Sequence, residues 1–142
     1  MADARTQSRR LFAAISRGDV EAIHELCSSN VVHVEAGATC RGIDEVAAHF
    51  QSISSAFPDL EIVVGRQVEE GDTVVTEMRF TGTQTAPLAT PQGVLPPSGR
   101  RVELPGCVLH TFTDGRITQH VGYYDQMLFL SQLGLLPEPA RA

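Results

Sequence analysis

The stretch RVELPGCVLHTFTDGRITQHVGYYD, residues 101–125, decides the fold. It holds two runs in which apolar and polar residues alternate, joined by an Asp-Gly pair that is typical of a hairpin turn. Two earlier runs, LEIVVGRQVEE at 60–70 and TVVTEMRFTGTQT at 73–85, alternate in the same way around a Gly-Asp pair. We therefore predict four consecutive strands that pair as an antiparallel meander.

Helical patterns precede these strands. Apolar residues fall on one face of residues 4–17, and Gly18 is expected to end that helix. Asp19 is placed to cap a short second helix, because its side chain can accept hydrogen bonds from the first free N–H groups. Apolar residues at spacings of three and four from Ile43 onward predict a third helix, ended by Pro58.

The remaining elements complete an α+β chain. A strand is expected to begin near Val31, between the second and third helices. A closing helix, QMLFLSQLG, is expected directly after Asp125. Helices that come first and strands that follow are typical of α+β folds rather than of a wound parallel sheet. A chain of 142 residues fits one domain, 1–142.

Composition excludes several classes of function. Seventeen acidic and eleven basic residues give a net charge of −6, which does not favour a nucleic-acid partner. The apolar runs are far shorter than a membrane span needs, and the first residues lack the apolar core of a secretion signal. We expect a cytoplasmic protein without membrane contact. Three cysteines far apart fit reduced, structural thiols better than a disulfide framework or a CxxC site.

One segment between the predicted strands is unusually long. Residues 86–99, APLATPQGVLPPSG, contain four prolines and two glycines. Loops of this length in a small domain are uncommon unless they have a function or are irregular excursions. Both a lid over a pocket and a plain surface loop remain open at this point.

A series of short motifs carries a resemblance to a known family. In order they are SRGDVEAIHEL, RGIDEVAAHF, FPDL, TGTQTAPL, PPSGRRVELPGC, DGRI, YYDQ and FLSQLGLLP. Together they resemble the SnoaL-like branch of the nuclear transport factor 2-like superfamily. The resemblance implies a cone-shaped barrel: a strongly curved mixed or antiparallel sheet wrapped around three N-terminal helices, with a short C-terminal helix. It also implies a deep pocket and a homodimer formed through the convex face of the sheet.

The resemblance also implies which residues face the pocket. Residues two apart on a strand share a face, and the family pattern turns one such set on each strand inward. The expected imidazoles in the pocket are His33, His110 and His120. The expected substrate-binding residues are Phe12, Ile15, Phe50, Met78, Phe80, Val108 and Tyr124.

Histidine suits proton transfer near neutral pH, so His110 and His120 are candidate acid/base groups. A half-buried strand histidine that simply bonds a backbone carbonyl is the alternative. His33 lies two residues before Glu35, and the two would form a base with its orienting carboxylate if both faced the pocket. Exposure of Glu35 at the strand edge is equally compatible with the sequence. Of the helical histidines, His49, like His24, is expected to face solvent.

The carboxylate of the relatives is missing from the last strand. In anthracycline-type cyclases, which this chain resembles, an acid lies two residues after the strand histidine, where this chain has Gly122. Asp125 is the nearest remaining acid, and it is a candidate catalytic residue or a helix cap. Glu77 and Arg79 are expected on the outer face, as part of an ion pair.

Metal and cofactor motifs are absent from the sequence. It contains neither an HExxH helix nor an HxH pair, and no glycine-rich phosphate loop, so no metal and no cofactor are expected. The resemblance implies a polyketide cyclase-like enzyme that performs acid/base chemistry on a polycyclic or aromatic ketone. Alternatives are an isomerase, dehydratase or hydroxylation-associated protein of the same fold, and a non-catalytic module that binds a hydrophobic ligand.

Overall fold

A computed structural model describes residues 3–90 and 93–136. These residues form four helices and eight strands. In chain order they are α1 (Ala4–Arg17), α2 (Val20–Leu26), β1 (Cys27–Glu35), β2 (Ala38–Arg41), α3 (Ile43–Ala56), β3 (Glu61–Glu70), β4 (Thr73–Thr83), β5 (Leu88–Thr90), β6 (Gly93–Leu95), β7 (Arg101–Thr113), β8 (Arg116–Tyr124) and α4 (Gln126–Gln132).

Six strands form one curved, mixed sheet in the order β2-β1-β8-β7-β4-β3. The predicted meander is confirmed, since β3, β4, β7 and β8 pair antiparallel in succession. Strand β1 joins the meander by pairing parallel to β8. Over the described residues β2 and β3 remain the two edges, so the sheet is an open cone around the helices rather than a closed barrel.

The helix ends follow the capping residues in the sequence. The carboxylate of Asp3 accepts a hydrogen bond from the backbone N–H of Thr6 at the start of α1, and Asp19 accepts one from Ala22 at the start of α2. Helix α1 ends at Gly18, whose φ of 65° lies in the left-handed region that glycine enters without a Cβ clash. The first three predicted helices are thus confirmed.

The short strands differ from the prediction. Strand β1 begins at Cys27 rather than near Val31, and β2, β5 and β6 were not expected. Strands of three or four residues carry too little alternation to be distinguished from loops. Strands β5 and β6 pair with each other inside the long 86–99 segment, of which residues 91 and 92 lie outside the described residues.

The core lies between α1, α3 and the concave face of the sheet, where Leu11, Val46 and Phe50 are buried. No helix among the described residues has both the length and the apolar character needed to cross a bilayer.

Val63 and Val68 on β3 are 46% and 57% exposed. The homodimer through the convex face stays a prediction.

Candidate active site

A cavity of about 770 Å³, the main cavity, lies between the concave face of the sheet, α3 and α4. Its volume lies within the range typical of small-molecule sites. The wall is largely apolar. Its larger apolar side chains are Ile53, Phe57, Met78, Phe80, Leu88, Leu95, Leu104, Val108, Phe129 and Leu130. The size and polarity of this wall are those of a site for a small, largely apolar molecule.

Polar side chains gather in one part of the wall. His33 and Glu35 come from β1, His49 from α3 and Tyr124 from the end of β8. His33 and Glu35 share a face because they are two residues apart on one strand. We call His33, Glu35 and His49 the cavity cluster.

The register of the sheet builds this arrangement. His33 on β1 lies opposite His120 on β8, and His120 lies opposite His110 on β7. Three histidines therefore stand side by side on the concave face, with ring centroids 4.7 Å apart at each step. Two residues further along the same strands, Glu35 lies opposite Gly122.

Gly122 makes room for the carboxylate of Glu35. A Cβ atom built on Gly122 would lie 3.3 Å from Oε2 of Glu35, closer than most real Cβ contacts. Gly122, at the position where the resemblance to the anthracycline-type cyclases places an acid, has no side chain. A carboxylate from the neighbouring strand occupies the adjoining space instead.

Two imidazoles flank this carboxylate. Oε2 of Glu35 lies 3.9 Å from Nε2 of His33, and Oε1 lies 3.7 Å from Nε2 of His49. These separations are longer than hydrogen bonds. Burial acts to raise the pKa of Glu35, but the interactions with His33 and His49 outweigh it and hold that pKa below its ordinary value. Glu35 is therefore a carboxylate at neutral pH.

The imidazoles of the cavity cluster lack hydrogen-bond partners. Neither ring nitrogen of His33 has one, although its side chain is only 2% exposed, and Nε2 of His49 also has none. Burying an unpaired polar group costs stability, so such groups are rare in folded proteins. Tyr124 lies nearby with its pKa raised to about 12 by burial and by the charge of Glu35, and it therefore keeps its proton.

Behind the cavity cluster lies a second group, the buried cluster of Ser8, His110 and His120. Nδ1 of His110 is hydrogen-bonded to Oγ of Ser8 at 2.9 Å, and Nε2 of His110 to Nδ1 of His120 at 2.9 Å. Burial, with a smaller contribution from His33, lowers the pKa of His110 to about 3. Burial and then the neighbouring histidines lower the pKa of His120 well below its ordinary value. Both imidazoles are neutral at pH 7.

A small inner cavity of about 60 Å³ adjoins the main one, and both are lined by Glu35, Met78, Phe80 and Val108. His120 also reaches the inner cavity. All seven predicted substrate-binding residues line one or both cavities. Phe12, Ile15 and Phe50 line the inner cavity, Met78, Phe80 and Val108 line both, and Tyr124 lines the main cavity. Their contact with a substrate stays a prediction.

Two predicted placements need correction, and Asp125 takes one of its two predicted roles. His110 lines neither cavity, because His120 and Ser8 enclose it in the core. His49 lines the main cavity instead of facing solvent, and its side chain is only 25% exposed. Asp125 caps α4 by accepting a hydrogen bond from the backbone N–H of Leu128 at 3.0 Å, and it lines neither cavity. Its predicted catalytic role has no support in this position.

The outer face of the sheet agrees with the strand alternation. Glu77 and Arg79 are both exposed, on the face opposite Met78. Glu77 forms an ion pair with Arg66 across β3 and β4, with Nε to Oε1 at 2.6 Å.

The three cysteines are free thiols, and burial raises the pKa of Cys27 to about 12. Such a thiol is a poor nucleophile at neutral pH.

The described residues of the 86–99 segment form part of the cavity wall. Leu88, Ala89, Thr90 and Leu95 line the main cavity. The buried side chain of Gln84, for which the sequence contains no local signal, binds the backbone of this segment. The carbonyl oxygens of Ala86, Leu95 and Pro96 share the two N–H donors of its Nε2, and its Oε1 accepts from the backbone N–H of Ser98. These bonds favour a fixed rim over a plain surface excursion.

Comparisons with known proteins identify the family and the fold of this chain. The sequence model of the SnoaL-like domain matches residues 8–120. A putative SnoaL-like polyketide cyclase from Jannaschia sp. CCS1 is 26% identical, with a TM-score of 0.81 over 94% of this chain and 92% of that one. TsrD from Streptomyces laurentii is 27% identical, with a TM-score of 0.82 over 96% and 100% of the two chains. IdmH from Streptomyces antibioticus, a putative polyketide cyclase, is 26% identical, with a TM-score of 0.77 over 94% and 99%. No curated protein sequence matches.

Proposed function

Because this chain belongs to the SnoaL-like domain family, we propose that it is a polyketide cyclase-like enzyme that performs acid/base chemistry on a polycyclic or aromatic ketone. One observation carries the proposal. The carboxylate of Glu35 is ionised, lines the main cavity and is flanked by two imidazoles, while most of the surrounding wall is apolar. An apolar cavity with a few convergent polar groups is the usual form of a small-molecule site.

In the proposed reaction Glu35 is the base. Its carboxylate takes a proton from the carbon next to a carbonyl group, and the C–H electron pair becomes the enolate. The phenol of Tyr124, which remains protonated, donates a hydrogen bond to the enolate oxygen. The enolate carbon then attacks a second carbonyl carbon and forms the ring C–C bond, and the resulting alkoxide takes the proton back from Glu35.

A carboxylate with a low pKa is a weak base, and this limits the substrate. A methylene group next to a carbonyl and a second activating group is acidic enough for such a base when the two are held in contact. Polyketide chains contain methylenes of this kind. Relatives named as putative polyketide cyclases, at 26% identity, support this choice of substrate class.

The test measures enolisation directly. 2-Tetralone is a bicyclic aromatic ketone whose C1 methylene lies between the ring and the carbonyl, and exchange of its protons in D₂O is followed by NMR. The wild-type protein is expected to accelerate exchange, and Glu35→Gln to lower the rate about 100-fold or more, as for loss of a general base. Glu61→Gln, an exposed glutamate on β3, is the matched control and should match wild type.

A second pair of variants tests the placement of the carboxylate. Glu35→Ala removes it, and Glu35→Ala/Gly122→Asp returns one from the facing strand, where the backbone of Gly122 does not require glycine. We expect the double variant to exchange at least about tenfold faster than Glu35→Ala. Wild-type binding of 2-tetralone without exchange above buffer would overturn the proposal and favour the ligand-binding module.

A further inference from the structure

The cavity cluster combines three groups that are metal ligands in other proteins. Nε2 of His33, Nε2 of His49 and a carboxylate oxygen of Glu35 lie close together, and one ligand atom from each lies within 4.8 Å of the other two. The two carboxylate-to-imidazole separations are 3.9 and 3.7 Å. Bonds of about 2.0 to 2.2 Å from one ion span up to about 4.4 Å between two ligand atoms, so both separations, which end on different oxygens of the Glu35 carboxylate, fit one ion bound by that carboxylate and the two imidazoles.

The unpaired nitrogens point independently to a ligand. The side chain of His33 is 98% buried, yet neither of its ring nitrogens has a hydrogen-bond partner, and Nε2 of His49 has none. Both histidines line the main cavity. A buried imidazole that no protein group satisfies is explained by a group that enters the cavity and accepts its lone pair. A metal ion does this, because neutral imidazole binds it through an unprotonated nitrogen.

The donor set selects the class of ion. Two imidazoles and one carboxylate suit divalent transition metals, as in the His₂Glu sites of zinc enzymes and the two-histidine, one-carboxylate sites of non-haem iron enzymes. Mg²⁺ and Ca²⁺ prefer sites made of oxygen ligands alone. We propose that His33, Glu35 and His49 form a binding site for a divalent transition-metal ion of the Zn²⁺ and Fe²⁺ class.

This site departs from the expectation that the chain binds no metal, which rests on the absence of metal-binding motifs. Short motifs detect ligands on one helix or one strand, whereas these ligands come from β1 and α3 and meet only in the folded chain. Three protein ligands leave at least one coordination position open. In this site the open position adjoins the main cavity, so an oxygen atom of a molecule held there can complete the coordination.

The metal site and the proposed function both draw on Glu35, so each is tested under conditions that exclude the other. An ion bound to Glu35 occupies the lone pairs that a base needs. The exchange assay with 2-tetralone is therefore run in EDTA, and the metal titration is run without substrate. Failure of either measurement leaves the other unaffected.

The experiment titrates Zn²⁺ and Co²⁺ into tag-free protein stripped with EDTA and dialysed, using calorimetry and the visible absorption of bound Co²⁺. We expect one ion per chain. Loss of a group that only orients a ligand weakens metal binding about 10- to 100-fold, so loss of a direct ligand in Glu35→Gln or His49→Gln should weaken it more than about 100-fold. His24→Gln, an exposed histidine on α2, is the matched control and should bind like wild type.

Circular dichroism establishes that each variant is folded, and His49 is suited to substitution because it lies at the cavity wall rather than in the core. Zn²⁺ should raise the melting temperature of wild type and His24→Gln but not of His49→Gln. Absence of binding to wild type would overturn the proposal. Binding that His49→Gln and Glu35→Gln leave unchanged would also overturn it, since the ion would then lie elsewhere.

Discussion

Two histidine clusters lie side by side on the concave face, and they differ in how their polar atoms are satisfied. In the buried cluster, hydrogen bonds of 2.9 Å join Ser8, His110 and His120. In the cavity cluster, His33 is as deeply buried but has no hydrogen bond, and it faces a cavity large enough for a ligand. The comparison shows that histidines of similar burial can be satisfied within the core or left unpaired at a cavity, depending on the groups around them. Unsatisfied buried groups persist where function needs them.

The largest expected effect is acid destabilisation by the buried cluster. The pKa of His110 is lowered to about 3 and that of His120 is also lowered, whereas histidine in an unfolded chain titrates near about 6.5. Below that pH the unfolded chain binds two more protons than the folded one, so stability is complete above it and is lost as pH falls. Each fully bound proton costs about 1.4 kcal/mol per pH unit, and an unfolded histidine is only half-protonated at about pH 6.5, so the two groups together give a loss of about 4 to 5 kcal/mol between about pH 6.5 and 4.5.

Urea unfolding at a series of pH values measures this loss. His24→Gln, which removes an exposed histidine, should leave the profile unchanged. A free energy of unfolding that stays constant between about pH 6.5 and 4.5 would show that the buried histidines do not titrate on unfolding.

A smaller effect is expected from substitutions that compare the two clusters directly. His110→Ala removes a fully buried ring and leaves Ser8 and His120 without partners, so we expect a loss of about 3 kcal/mol. His33→Leu removes two unsatisfied nitrogens at similar volume and should leave stability unchanged or raise it by up to about 1 kcal/mol. Urea unfolding at neutral pH measures both. An equal loss in the two variants would contradict the distinction between the clusters.

Much of the fold follows from the sequence because its elements are amphipathic. The meander, the first three helices and the caps at Asp19 and Asp125 are set by local patterns and are confirmed. The parallel pairing of β1 with β8, which aligns His33 with His120, depends on residues far apart in the chain. No local pattern encodes that register. The alignment of His33 with His120 and His110 therefore does not follow from the sequence pattern.

The site was harder to predict than the fold. His49 lies three residues after Val46 and four before Ile53, which places it on the apolar side of α3, so its position in the cavity wall could have been found. The role of Gln84 has no sequence signature, because the partners of its side chain are backbone atoms of a proline-rich segment. The spacing of two residues predicts that Glu35 and His33 lie on the same face of the strand. The position of the Glu35 carboxylate in the cavity, rather than in solvent, depends on the space beside Gly122 of the opposite strand, which the spacing does not predict.

The smallest expected effect concerns Gly122 on β8, which lies opposite Glu35 of the cavity cluster. In Gly122→Ala the new Cβ would lie 3.3 Å from Oε2 of Glu35, so the carboxylate must shift by a few tenths of an ångström. The backbone there suits any residue, and we expect the free energy of unfolding to change by less than about 0.5 kcal/mol. Exchange of 2-tetralone protons should slow by about threefold to tenfold, because proton transfer depends on contact geometry. A Gly122→Ala variant that exchanges as fast as wild type would mean that the position of the Glu35 carboxylate does not control the reaction.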